Sequence, residues 1–172
     1  MIELDCFSKF AMRIDGNAVN LHSAKAEELI AFLACENGLV SKHKVAETLW
    51  ATVLPEQAMD SLYKVLQHIK HLPFYVPVVQ ARGKLSLDLS SVKMDLAEFL
   101  SYYESFNIKD WEKAVSLYRD ILLVDNCYDW SNKYEARYDT YYYEILSRLV
   151  EYYQDKNNPY MAYYYQSKLT TE

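Results

Sequence analysis

Between residues 23 and 89 the hydrophobic pattern changes period in a fixed order, and no other feature constrains the fold as tightly. Apolar residues at helical spacing predict helices over 23–36, 41–50 and 56–72. Strand-like alternation follows over 76–80 and 85–89, with Arg82-Gly83-Lys84 as the turn between them. Ser23 and Ser41 can N-cap the first two helices, because a serine hydroxyl accepts from an otherwise orphaned first-turn N–H. Gly38 supplies the stop after the first helix. Leu29, Ile30 and Leu33 form the inward stripe of the first helix, and Val45 and Leu49 that of the second. Ahead of the helices, alternation over 2–7 predicts a half-buried edge strand. Segments 11–14 and 18–21 flank Asp15-Gly16-Asn17, a hairpin turn in which glycine accepts positive φ.

The composition divides the chain in two. Residues 1–93 hold 10 Lys and Arg against 10 Asp and Glu, and all four histidines. Residues 94–172 hold 8 against 14, so the whole net charge of −6 lies there, with 15 of the 17 tyrosines. Halves so different predict two domains, 1–93 and 94–172, joined near 90–95. Cys6, Cys35 and Cys127 stand in apolar surroundings without metal-ligand spacing, which predicts buried, reduced thiols. No stretch approaches the length of a membrane span, and the N-terminus lacks the charged and apolar regions of a signal peptide. A cytoplasmic location is expected.

The third helix carries the functional argument. With Ala58, Leu62, Val65, Ile69 and Leu72 turned to the core, the opposite face presents Lys64, Gln67, His68 and His71, with Tyr63 and Lys70 beside them. Amide, imidazole and ammonium groups can address base edges and phosphates. A solvated helix face often has the same composition, so the face alone decides nothing. The hairpin tip adds to it: Arg82 and Lys84 flank a glycine on a thin loop, and an arginine so placed can enter the negative minor groove. Three helices followed by a basic-tipped hairpin are the arrangement of a winged helix-turn-helix, giving residues 1–93 an α+β class.

From Asp95 onward the pattern is helical, which predicts an all-α second half. Asp95 can cap a helix over 96–106, and Lys109 or Asp110 opens another that includes Trp111, Ala114, Val115, Leu117, Tyr118, Ile121 and Leu122. A long helix is expected over 129–156; Asn157-Asn158-Pro159 breaks it, and 160–169 starts the next. Antiparallel pairs spaced by about 34 residues point to tetratricopeptide-like (TPR-like) stacking. The runs Tyr141-Tyr142-Tyr143, Tyr152-Tyr153 and Tyr163-Tyr164-Tyr165 are not stripes, since consecutive helical residues cannot share one face. Some rings are expected between helices and others with exposed hydroxyls; a tyrosine-rich groove for protein or peptide is the alternative. The acidic helical surface would repel DNA.

Leu39-Val40-Ser41 through Leu49-Trp50, then Ala58…Ser61-Leu62 and Ile69-Lys70, resemble the winged-helix domain of the antibiotic-regulatory-protein (SARP) family, which is of the OmpR type. The Asp15-Gly16 turn and Leu21…Lys25-Ala26…Leu29 fit the same pattern, so the resemblance covers residues 2–89. It implies that the third helix is the recognition helix, with Tyr63, Lys64, Gln67, His68, Lys70 and His71 toward DNA. It also implies that Arg82 and Lys84 sit on the wing, that Ser41, Lys42 and His43 approach phosphate, and that the loop 51–57 faces polymerase or DNA. One departure stands out: the family carries a clearly basic run where this chain has His68, Lys70 and His71. Uncharged imidazoles attract phosphate less than arginines do, so weaker, dimer-dependent binding is expected.

Trp111, Ala114, Val115 and Tyr118, then Leu122-Leu123, Trp130, Arg137 and Tyr141, resemble the bacterial transcriptional activator domain, which follows the winged helix directly in that family. The two resemblances imply a cytoplasmic transcription regulator, in the first instance an activator. Its partners would be double-stranded promoter DNA, RNA polymerase and a second copy in a homodimer. The family's helical array continues beyond a point like Leu169, so this half is expected to be short, with an apolar edge on 160–169 open to a partner. Relatives often carry a phosphoacceptor receiver domain ahead of the winged helix, and no such pattern precedes Ile2. The chain therefore reads either as the output half of a response regulator or as a short free-standing member.

No catalytic constellation accompanies these motifs: GxSxG, Walker, HExxH and glycine-rich dinucleotide patterns are all missing from a chain with three glycines. No enzyme activity and no cofactor are expected. His68 and His71 have an i, i+3 spacing that could bind metal, but no third ligand accompanies them and no metal is expected. The rival reading is an interaction module whose winged helix has lost DNA and docks a protein. The neutral charge of residues 1–93 favours it, since DNA-binding domains carry a basic excess. Convergence of Lys42, Lys44, Lys64, Lys70, Arg82 and Lys84 on one face would support DNA, and scattering would support docking.

Overall fold

Alternating apolar residues at the N-terminus form β1 (Ile2–Asp5), with Ile2 and Leu4 buried. β2 (Ala11–Ile14) pairs antiparallel with it and turns into β3 (Asn17–Ala18) through Asp15 and Gly16, at φ 50° and 82°. This two-residue turn has the backbone twist that an antiparallel hairpin requires. The computed structural model describes residues 1–170 and is mixed α/β.

Helix α1 (Ala24–Glu36) starts where Ser23 Oγ accepts from Ala26 N–H at 3.1 Å. It ends at Glu36 as expected, but Asn37 rather than Gly38 adopts the left-handed cap, at φ 49°, with its N–H on the Leu33 carbonyl. Short polar side chains tolerate that conformation. β4 (Val40–Ser41) leads into α2 (Lys42–Leu49), capped by Ser41, and then α3 (Pro55–Lys70), which opens on a proline at its first turn. β5 (Val78–Ala81) and β6 (Lys84–Leu87) form the hairpin, two residues shorter on each outer side than the pattern predicts. Its turn is Arg82-Gly83 alone, while Lys84 pairs with Ala81 as a strand residue.

β7 (Val92–Met94) follows, in the stretch expected to be a linker. It pairs in parallel with β1, so the sheet order is β3-β2-β1-β7 and β1 is a central strand, not an edge. Three residues are too few for a period to register in sequence. The second sheet has the order β4-β6-β5.

α4 (Asp95–Glu104), α5 (Ile108–Leu117), α6 (Asn132–Asp155) and α7 (Pro159–Leu169) complete the chain. α5 stops at Leu117, whereas the apolar spacing predicted that it would run through Tyr118 to Leu122. Two tertiary effects override the pattern: Leu122 and Leu123 are buried in the shared core, and the Leu123 N–H donates to the Cys6 carbonyl at 2.8 Å. The segment that follows has left-handed residues at Leu123, Asp125 and Cys127, and leaves Cys127 exposed instead of buried. Cys6 and Cys35 are buried.

The core is continuous through both halves. Phe7, fully buried just after β1, meets the rings of Phe99 and Tyr118, each at 5.1 Å, and of Tyr138 at 5.5 Å. Asp95 is the first residue of α4 rather than its expected cap, since Met94 holds the N-cap position with no side-chain cap hydrogen bond. Its buried carboxylate accepts from Cys6 and Phe7 N–H at 2.9 Å and from Leu96 N–H at 2.8 Å, tying α4 to the end of β1. Burial pushes its pKa up to about 6 against the pull of those N–H donors. Arg119 bridges it to Asp5, at 3.5 Å and 3.2 Å.

Candidate nucleic-acid interface

The α3 helix buries Ala58, Leu62, Val65, Leu66 and Ile69. By the 3.6-residue period the opposite side must face water, and Tyr63, Lys64, Gln67, Lys70 and His71 are exposed there. His68 is set apart. It is half-buried, and its Nε2 lies 2.6 Å from the Leu21 carbonyl, so this nitrogen carries the proton and spends it inside the protein. His71 likewise uses Nδ1 on the Gln67 carbonyl at 2.7 Å, one turn back on its own helix.

Lys42 joins three elements. Its backbone N–H donates to the Gly83 carbonyl at 2.9 Å, fastening the start of α2 to the hairpin turn. Its ammonium stands 5.4 Å from the centre of the Tyr63 ring on α3. An ammonium over an aromatic face is held there by the ring quadrupole. Across the β4–β6 ladder Ser41 pairs with Lys84, and the Ser41 hydroxyl accepts from Lys44 N–H at 3.1 Å. His43 is exposed on the first turn of α2. Ser41, Lys42, Tyr63, the Arg82-Gly83 turn and Lys84 are therefore neighbours, brought together from stretches far apart in sequence.

The turn itself is built for exposure. Arg82 has φ 50° and Gly83 φ 76°, the paired left-handed residues of a tight hairpin. A Cβ at Gly83 would meet nothing within 4 Å, so the glycine answers the backbone conformation and not crowding. Among the described residues, Lys64, Lys70, Arg82 and Lys84 form no ion pair. Lys44 does: its ammonium lies 3.0 Å from Glu36.

Two acidic residues that the sequence reading passed over, Glu56 and Asp60, are also exposed on α3. Asp60 stands one turn before Tyr63 and Lys64, on the same face. The helical wheel that selected Lys64 and Gln67 would have found it. Beside this face, between the end of α3 and β5, a cavity of about 300 Å³ is lined by Leu66, Lys70, Phe74, Val76 and Gln80. Among the described residues, no group of three His, Cys, Asp or Glu side chains could hold a metal ion. No helix among them is long and apolar enough to cross a membrane.

No protein-family model matches the chain, and no curated protein matches it in sequence. Among solved structures, EmbR of Mycobacterium tuberculosis, determined in complex with a low-affinity phosphopeptide, has a similar fold. The TM-score is 0.64 at 16% identity, over 96% of this chain and 55% of EmbR. At that identity the likeness establishes the fold alone, and the chain spans about half the length of EmbR.

Proposed function

We propose that this chain is a sequence-specific DNA-binding transcription regulator of the SARP type. Residues 1–93 act as a winged helix on promoter DNA, and residues 94–172 form a TPR-like half that contacts RNA polymerase or a second copy. The observation that carries the reading is the Lys42 junction. One residue links the start of α2, the hairpin turn and Tyr63 of α3, so that an exposed helix face and a basic turn lie side by side. The fold likeness to EmbR supports a regulator architecture over nearly the whole chain.

In this reading Lys64, Gln67 and Tyr63 enter the major groove, where an amide or ammonium can address base edges. Arg82 reaches the minor groove and Lys84 meets the backbone, while Ser41, Lys42 and His43 approach phosphate at the start of α2. Glu56 and Asp60 repel phosphate, so the face must be approached with α3 deep in the groove or with help from a second protomer. His68, tied to Leu21, contributes to the fold of the face more than to contact.

The test is a titration of the chain with random duplex DNA, following backbone amide resonances. Shifts concentrated on 41–44, 60–71 and 81–85 are expected. Shifts confined to 95–170, or none at low salt, would overturn the proposal and leave protein docking as the function of this face.

A further inference from the structure

Glu36 ends α1 with a carboxylate, at the helix terminus where the dipole disfavours negative charge. It is held there from two sides. Its Oε1 accepts from the Tyr134 hydroxyl of α6 and lies 3.0 Å from the Lys44 ammonium of α2. The Glu36 side chain is 17% exposed and that of Lys44 50%. Burial alone would raise the carboxyl pKa; the hydrogen bonds from Tyr134 and Lys44 outweigh it and keep the group below the usual carboxylate range. Lys133 of α6 adds a further favourable charge. Lys44 stands two residues after Lys42 on the first turn of α2, yet the two cations go opposite ways. Lys42 lies over Tyr63, whereas Lys44 is drawn back toward α6.

We propose that Glu36 competes with DNA phosphate for Lys44, so that the seating of α6 on α1 through Tyr134 sets the DNA affinity of the α2–α3–hairpin face. The inference deepens the DNA-binding reading and rests on it. While Lys44 is paired with Glu36 its charge is already compensated and adds little to a phosphate. Once released, it supplies one more contact, and Tyr134 and Lys133 remain to hold Glu36. The Tyr134 hydroxyl works in the same direction, because a carboxylate that accepts it has less charge left for Lys44. Removing the carboxylate and removing the hydroxyl should therefore change affinity with opposite signs, which general loosening of the fold cannot do.

The test uses the full chain, random duplex DNA and fluorescence anisotropy over a range of salt. Glu36→Gln should tighten binding about three- to tenfold at low salt and steepen the log–log salt slope by about 0.9, one phosphate contact. Lys44→Gln should stay within about twofold of wild type, since DNA gains little from a cation already paired. The double substitution should cancel the gain, and Tyr134→Phe, which tightens Glu36 on Lys44, should weaken binding by no more than Lys44→Gln does. Glu36→Asp, which keeps the charge but withdraws it by one methylene, should give a smaller gain and serves if Glu36→Gln does not fold. A folded Glu36→Gln without tightening would overturn the competition. Equal tightening in the Lys44→Gln background would also overturn it, as a plain field effect. Absence of duplex binding by wild type and every variant would instead sink the DNA-binding reading, and this inference with it.

Discussion

On the α3 and hairpin face Lys64, Lys70, Arg82 and Lys84 form no ion pair among the described residues. In the helical half Glu112, Asp139 and Glu144 each accept a tyrosine hydroxyl, from Tyr153, Tyr118 and Tyr103. Those hydrogen bonds, with burial, raise the phenol pKa values, Tyr103 and Tyr153 to about 12 and Tyr118 further, so the hydroxyls stay protonated as donors. At these three positions the helical half pairs its carboxylates internally, while the α3 and hairpin cations stay open. An anion arriving at α3 breaks no internal pair, whereas a cation arriving at those three carboxylates competes with built-in donors. Part of the tyrosine excess in residues 94–172 thus serves to pair carboxylates of the same half. It also fills space: Tyr118 stacks on Tyr142 at 3.9 Å and Tyr103 on Tyr141 at 4.4 Å. Among the described tyrosines of the helical half, only Tyr160 and Tyr163 on α7 stand mostly in solvent.

The contrast concerns surfaces alone, because the core beneath them is shared, and the largest effect expected tests that. Phe7→Ala should cost about 3–5 kcal/mol, the range for an aromatic side chain removed from a packed core. Chemical denaturation followed by far-ultraviolet dichroism and by tryptophan emission should give one coincident transition. Two separate transitions would mean that the halves fold independently.

Asp95→Asn comes next, at about 1–3 kcal/mol, since an amide cannot serve all three backbone donors and leaves a buried polar group mismatched. The wild-type residue also carries a pH signature. An acid whose folded pKa is raised favours the folded state while protonated. Its contribution is fully present below about pH 4 and is lost as the pH rises through about 6. The stability difference between wild type and Asp95→Asn should shrink across that window, and a flat difference would contradict the burial of the charge.

Substitutions on the open face sharpen the comparison from the other side. Arg82→Ala should weaken binding to all duplex sequences alike and flatten the salt slope by about 0.9. Gln67→Ala should instead redistribute preference among sites by about 1–3 kcal/mol if the amide reads a base. A uniform loss would demote Gln67 to a backbone contact. The smallest effect is expected from Tyr103→Phe, below about 1 kcal/mol by thermal melting, because that hydroxyl and Glu144 lie near the surface. Binding to duplex should not change.

The two regions also differ in how much of them could be read beforehand. Helix starts were legible at Ser23 and Ser41, whose caps act within three residues of themselves, while the equally local caps Asn107 and Asn158 were not read as caps. The exposure of Tyr63, Lys64 and Gln67 followed from period alone. The end of α5 did not, because Leu122 and Leu123 continue the period while a bond to Cys6 ends the helix. β7 was hidden by its length. At the site, the junction of Lys42 with Gly83 depends on the register between β4 and β6, more than forty positions apart, which no local signal encodes. The bond from Tyr134 to Glu36, which shares the carboxylate with Lys44, spans 98 positions and was equally out of sight.

The most direct test of the open face is fluorescence anisotropy of the chain against random duplex DNA as salt is raised from low to moderate concentration. With Lys64, Lys70, Arg82 and Lys84 free to neutralise phosphates, log affinity should fall against log salt with a slope of about −3 to −4. No binding at low salt, even at high protein concentration, would contradict the account and turn this face into a protein-docking surface.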